Sequence, residues 1–183
     1  MTTRITKTSH LIYARVAGFT FLFYIIAGIS SMALPNESQV ADLLSLLLNF
    51  SAIVLGVALY IITREQGPGL ALLALTCRAM EAVHNESAIF FSIGSLFFCW
   101  LLLRGRLIPV ALAWLGVVAS ALLVVILPLQ LAGLFGGSMS WSASITWLAW
   151  LPMLIFEVTL ALWLMIKGVA MPAENSGVAL EAN

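Results

Sequence analysis

Six long apolar segments, separated by short polar turns, constrain the fold of this 183-residue chain more than any other feature. A helix needs about 20 mostly apolar residues to cross the hydrocarbon core of a bilayer. Because no water reaches that core, backbone N–H and C=O groups have to pair within each segment, as they do in a helix. The predicted membrane helices cover residues 13–34, 41–63, 67–83, 87–103, 107–127 and 145–166. We therefore predict an all-α, polytopic membrane helix bundle.

The composition supports this class and excludes others. Hydrophobic residues make up 62% of the chain and charged residues only 9%, with a mean hydropathy of +1.10. Soluble domains carry about a quarter charged residues, which they need to cover a surface in water. The formal net charge is zero, which argues against nucleic acid and against a polybasic lipid-binding segment. The lipid bilayer is therefore the expected partner.

The chain reads as a single bundle domain over residues 1–168, followed by a short, mobile cytoplasmic tail over 169–183. Pro109 is predicted to begin the fifth helix and Pro128 to end it. Residues 131–144 form the one long connection, which is rich in Gly and Ser and has no charge. This connection is expected to lie on the membrane surface or partly to re-enter.

The first apolar segment has two interpretations. Basic residues precede it and small residues follow it, as in a secretory signal peptide. However, the uninterrupted run from Val16 to Leu34 is longer than the usual apolar core of such a peptide, which has about 7–15 residues. We therefore interpret it as a retained first membrane helix.

Basic residues outside the apolar segments predict the orientation. With six helices, all of them fall on one side, whereas the opposite connections contain Glu37 and Glu86 and no Lys or Arg. Cytoplasmic loops of membrane proteins carry an excess of Lys and Arg, so both termini are predicted to be cytoplasmic. The basic residues concerned are Arg4, Lys7, Arg64, Arg104, Arg106 and Lys167.

A polar cluster is predicted within the membrane, because charges there are costly and usually functional. Its members are Arg15, Arg78, Glu81 and Glu157. Arg78 and Glu157 lie at similar depths, about 15 Å from the cytoplasmic ends of their helices, and are predicted to pair. Tyr24 and Asn49 are the expected hydrogen-bond partners of this cluster, and Arg15 can extend to the interface.

Three functions remain open for this cluster. It locks helix packing, binds a small polar ligand, or relays protons in a transporter. A fourth interpretation is catalytic. Glu81 and His84 are weak metal-ligand candidates, because two ligands spaced i, i+3 on a helix can reach one metal. The chain lacks the further ligands that such sites need, so we expect no metal, no cofactor and no enzymatic activity. The Ala14-x-x-x-Gly18 pattern leaves a homo-oligomer open.

Short motifs along the chain resemble a known family, the bacterial membrane family called domain of unknown function 4386 (DUF4386), over roughly residues 10–168. The motifs are Arg15-Val16-Ala17-Gly18, Arg78-x-x-Glu81, Leu107-Ile108-Pro109, Leu115-Gly116, Pro152, Phe156-Glu157, Leu162-Trp163-Leu164 and Lys167-Gly168. The resemblance implies a multi-pass protein of the inner (cytoplasmic) membrane, without an established activity to transfer. After Pro109, where family members often have a basic residue and tryptophan, this chain has Val110 and Ala111.

Overall fold

The computed structural model is all-helical across the residues it describes, namely 2–32, 34, 38–83, 87–134 and 144–170. These residues form six α-helices and a short 3-10 turn, Arg64–Gln66, and contain no strand. The helices are α1 (Thr2–Met32), α2 (Gln39–Thr63), α3 (Pro68–Glu81), α4 (Ser87–Arg104), α5 (Val110–Leu131) and α6 (Ser144–Ile166). The predicted all-α class is confirmed across these residues, whereas most of the connection at 131–144 and of the tail lies outside them.

The helices form a closed ring in chain order. Each helix packs against the next one, and α6 packs against α1. The closure is tight, because a Cβ placed on Gly18 of α1 would lie 2.6 Å from the carbonyl oxygen of Ala161 in α6. Ala14 is fully buried one turn earlier. The small-residue face of α1 is therefore buried inside the bundle, where Gly18 packs against α6.

The outward faces of the helices are strongly apolar. Phe19 on α1, Leu46 on α2 and Leu148 on α6 are each more than 60% exposed. Water-soluble proteins rarely expose contiguous apolar surface of this kind. Four stretches are long and apolar enough to cross a membrane, namely His10–Ser31, Gln39–Gln66, Val110–Leu131 and Thr146–Ile166. The fold therefore indicates a membrane protein.

Several helix bounds differ from the predicted ones. α3 has only 14 residues and is about 21 Å long, which is shorter than the roughly 30 Å hydrocarbon core. α1 extends far beyond its apolar part, back to Thr2. Pro128 lies inside α5 and does not end it, so that prediction was wrong. Proline removes one backbone hydrogen bond, and packing against neighbouring membrane helices offsets this loss.

One end of the bundle holds the connections after α2, α4 and α6. The backbone N–H of Ala170 donates to the carbonyl of Leu107 at 2.8 Å, and this bond ties the segment after α6 to the turn between α4 and α5. A Cβ on Gly105 would meet the side chain of Gln66 at 2.7 Å, so the turn after α2 lies there as well. The exposed side chains of Arg64, Arg106 and Lys167 consequently share this end.

Candidate functional site in the bundle core

A buried ion pair on α3 forms the centre of the site. Arg78 Nη1 lies 2.7 Å from Glu81 Oε2, and the two residues are 1% and 6% exposed. Residues spaced i, i+3 lie on the same helix face, so the local sequence brings these side chains together. A hydrogen bond between two ionised groups is stronger than one between neutral groups. The guanidinium and the carboxylate therefore compensate each other's charge within an apolar core.

Tyr24 connects this pair to α1. Its hydroxyl donates to Glu81 Oε1 at 2.7 Å, so each carboxylate oxygen of Glu81 has a partner. This confirms the partner predicted for Tyr24. Asn49, by contrast, is exposed on the outer face of α2, and its predicted role was wrong. Because α1 and α3 are not neighbours in the ring, the Tyr24–Glu81 bond spans the interior of the bundle.

An aromatic pair covers the guanidinium. The Cζ atom of Arg78 lies 4.5 Å from the centroid of the Phe91 ring on α4, a cation–π distance. Phe91 in turn packs against Trp150 of α6, with ring centroids 5.3 Å apart. The charge on α3 is thus enclosed by side chains from two further helices.

Two glycines make room for the stem of Arg78. A Cβ on Gly56 of α2 would lie 3.0 Å from Cβ of Arg78, and a Cβ on Gly94 of α4 would lie 3.7 Å from its Cγ. These glycines, together with Phe91, were missed in the sequence reasoning. Their position in apolar helices that flank α3 was the available signal, since glycine there allows close approach of a neighbour.

Glu157 of α6 is buried but does not pair with Arg78. The residue is 5% exposed, and its Oε1 atom has no hydrogen-bond partner among the described residues. The two ion pairs among the described residues are His10–Glu65 and Arg78–Glu81. The predicted Arg78–Glu157 pair was therefore wrong. Glu81 lies one turn from Arg78 on the same helix, and its carboxylate binds Nη1 in place of Glu157.

A very small cavity adjoins the guanidinium. It has a volume of about 10 Å³ and is lined by Arg78, Ser95 and apolar side chains from α1, α2, α4 and α6. Arg78 Nε and Ser95 Oγ are buried there without a hydrogen-bond partner in the described part of the chain. A space of this size holds about one water molecule. This cavity is therefore too small for any larger solute.

The remaining predicted residues lie elsewhere. Arg15 is exposed on α1 and forms no ion pair within the described ranges, so the structure does not join it to Arg78. Glu81 already binds Arg78 and Tyr24, and His84, the other weak metal-ligand candidate, falls outside the described residues. Cys77 and Cys99 are free, buried thiols. In the described ranges, no three His, Cys, Asp or Glu residues are grouped as a metal site would require.

One known protein family matches the C-terminal part of the chain. The family model described as domain of unknown function DUF4386 matches residues 83–168, which include Glu157 but neither Arg78 nor Glu81. No curated protein and no solved structure matches the chain. The resemblance to DUF4386 that the sequence motifs indicated is therefore confirmed, over residues 83–168.

Proposed function

We propose that this protein is a six-span protein of the bacterial cytoplasmic membrane, in which a buried Arg78–Glu81–Tyr24 lock fixes the packing of the helices. The observation that carries the proposal is the closure around Arg78, which is 1% exposed and bound to Glu81 at 2.7 Å. Removing one member of this pair would leave an uncompensated buried charge on α3. The hydrogen bond from Tyr24 to Glu81 joins the pair to α1, so the three residues together favour a single arrangement of these two helices.

The six-span topology rests on the ring of helices. α3 is short, but it packs between α2 and α4 and exposes Leu72 and Leu73 by 55% and 45%. Those side chains favour lipid over water. With six spans, the exposed cations Arg64, Arg106 and Lys167 lie on the cytoplasmic side, as does the N-terminal end of α1.

Cysteine labelling in intact cells tests this topology. Gln39 is exposed at the start of α2, Glu65 is exposed in the 3-10 turn that follows the other end of α2, and the two native thiols are buried. We expect a membrane-impermeant maleimide to label Gln39→Cys in intact cells and Glu65→Cys only after permeabilisation. The reverse pattern would overturn the orientation, and labelling of both positions in intact cells would show that α2 does not span the membrane.

A second candidate function, a carrier of protons or of a small polar solute, is favoured by Glu157. Its Oε1 atom is buried without a partner among the described residues, as are Arg78 Nε and Ser95 Oγ. Intramembrane acidic residues of this kind commonly relay protons or bind substrates in transporters. The closed core would then be one conformation of an alternating cycle, and Glu157 would be the group that takes up the proton or ligand.

A flux assay distinguishes the lock from the carrier. Vesicles containing the purified protein receive a pH gradient, and an enclosed pH-sensitive dye reports its decay. For a packing lock, we expect decay at the rate of protein-free vesicles for both the wild type and Glu157→Gln. Faster decay in the wild type that is abolished in Glu157→Gln would reject the lock as the main function and support the carrier. A parallel assay with solute gradients applies the same comparison.

A further inference from the structure

A second cavity lies at the end of the bundle where α4, α5 and α6 meet. Its volume is about 410 Å³, far larger than that of the core cavity. Its lining includes Arg106 and Lys167, with Trp163 and the backbone segment from Gly168 to Ala170. Both cationic side chains are exposed. The two ion pairs in the described residues involve neither of them, so their charges are not compensated by a carboxylate there.

The backbone around Arg106 is unusual. Arg106 is the one non-glycine residue with a positive φ, 49°, in the described part of the chain. It ends α4 in a Schellman arrangement, in which Leu107 N–H donates to Leu102 C=O and Arg106 N–H to Leu103 C=O. Glycine is the usual residue at such a position because a side chain strains it. Arg106 therefore places a cation at a turn position where a side chain is unfavourable.

The segment after α6 also lines the cavity. Gly168, with a φ of 73°, turns the chain after Lys167. The hydrogen bond from Ala170 N–H to Leu107 C=O then fixes this segment against the turn that carries Arg106. The two cations therefore line one cleft.

The two helices next to this cleft, α5 and α6, also carry exposed apolar side chains. Val110 and Trp114 form an i, i+4 pair on α5, and each is about half exposed. Leu162 and Ile166 on α6 are 46% and 73% exposed. An anion with a hydrocarbon tail fits this surface, because its charge would face Arg106 and Lys167 while its tail covers α5 and α6. A soluble phosphate would leave that apolar surface unused.

We propose that the Arg106–Lys167 cleft binds the phosphate headgroup of an anionic phospholipid, with Trp163 at the level of the headgroup. Basic pockets between membrane helices bind such headgroups, and tryptophan prefers the membrane–water interface. The site uses two positioned cations and not a polybasic segment. It is separate from the Arg78 lock, and it requires only that the helices lie in a membrane.

Lipid titration of the full-length protein tests this site. The protein in neutral detergent is titrated with phosphatidylglycerol or phosphatidylcholine, and native mass spectrometry counts the bound lipids. One cation near an anionic headgroup changes affinity about fivefold. We therefore expect Arg106→Gln and Lys167→Gln each to weaken phosphatidylglycerol binding about fivefold, and the double variant about 25-fold. Arg64→Gln is the matched control, since this exposed arginine lies outside the cleft, and it should bind as the wild type does.

Two further measurements keep the proposal falsifiable. Arg106→Gly removes the cation and relieves the positive φ, so it should weaken phosphatidylglycerol binding about fivefold, as Arg106→Gln does, without lowering the thermal midpoint. Equal weakening in Arg64→Gln, or equal binding of phosphatidylcholine, would overturn the site. Glycerol phosphate serves as the soluble probe and should not displace the lipid at equal concentration. Displacement by glycerol phosphate would show that the cleft binds a soluble phosphate, and it would overturn the lipid assignment.

Discussion

Replacing Arg78 by methionine should lower the free energy of unfolding by about 3–5 kcal/mol. The guanidinium is 1% exposed and supplies the compensating positive charge of Glu81, which is itself 6% exposed. Without it, the carboxylate remains buried in an apolar core, and Tyr24 is its one remaining neutral partner among the described residues. Denaturation of the protein in mixed detergent micelles, monitored by circular dichroism, gives the free energy.

Two variants control this experiment. Arg15→Met removes an exposed arginine from α1 and should change stability by less than about 0.5 kcal/mol. The double variant Arg78→Met/Glu81→Gln removes both charges and keeps an oxygen that can accept from Tyr24. It should therefore recover more than half of the lost stability, since replacing both partners avoids an unpaired buried charge. A single variant as stable as the wild type, or a double variant no better than the single one, would contradict the lock.

Replacing Gly18 by alanine should lower the free energy of unfolding by about 1–3 kcal/mol, because the added methyl group overfills a packed interface. That methyl group would lie 2.6 Å from the carbonyl oxygen of Ala161 and 2.7 Å from Cγ of Met165. The methionine side chain can move, but the backbone oxygen cannot move without shifting α6. The expected result is a weakened closure between α1 and α6, measured by the same micelle denaturation.

Gly28→Ala on the same helix is the matched control. No atom lies within 4 Å of a Cβ placed there, so the methyl group enters open space. Alanine also favours a helix over glycine by about 0.5–1 kcal/mol, so this variant should be as stable as the wild type or slightly more stable. If both variants lost stability equally, the effect would not come from packing against α6.

The chain's own pattern predicted the all-helical class and the six α-helices that the described residues form. Apolar segments in a membrane can satisfy their backbone groups only as helices, and four of the segments are long enough to cross it. The Arg78–Glu81 pair was also accessible, because an i, i+3 spacing brings two side chains together without any knowledge of other helices. The DUF4386 likeness was carried by short motifs in the C-terminal part, where the family model matches residues 83–168.

Only the tertiary structure decided which partner each buried charge received. Arg78 and Glu157 lie at similar depths, but depth does not specify how far each helix is rotated about its axis. Rotation depends on packing at small residues such as Gly56 and Gly94, which seat the Arg78 stem between α2 and α4. The orientation of α1 likewise points Tyr24 inward to Glu81, and the orientation of α2 leaves Asn49 exposed. The cleft between Arg106 and Lys167 likewise forms from residues 61 positions apart, whose distance in space no local pattern encodes.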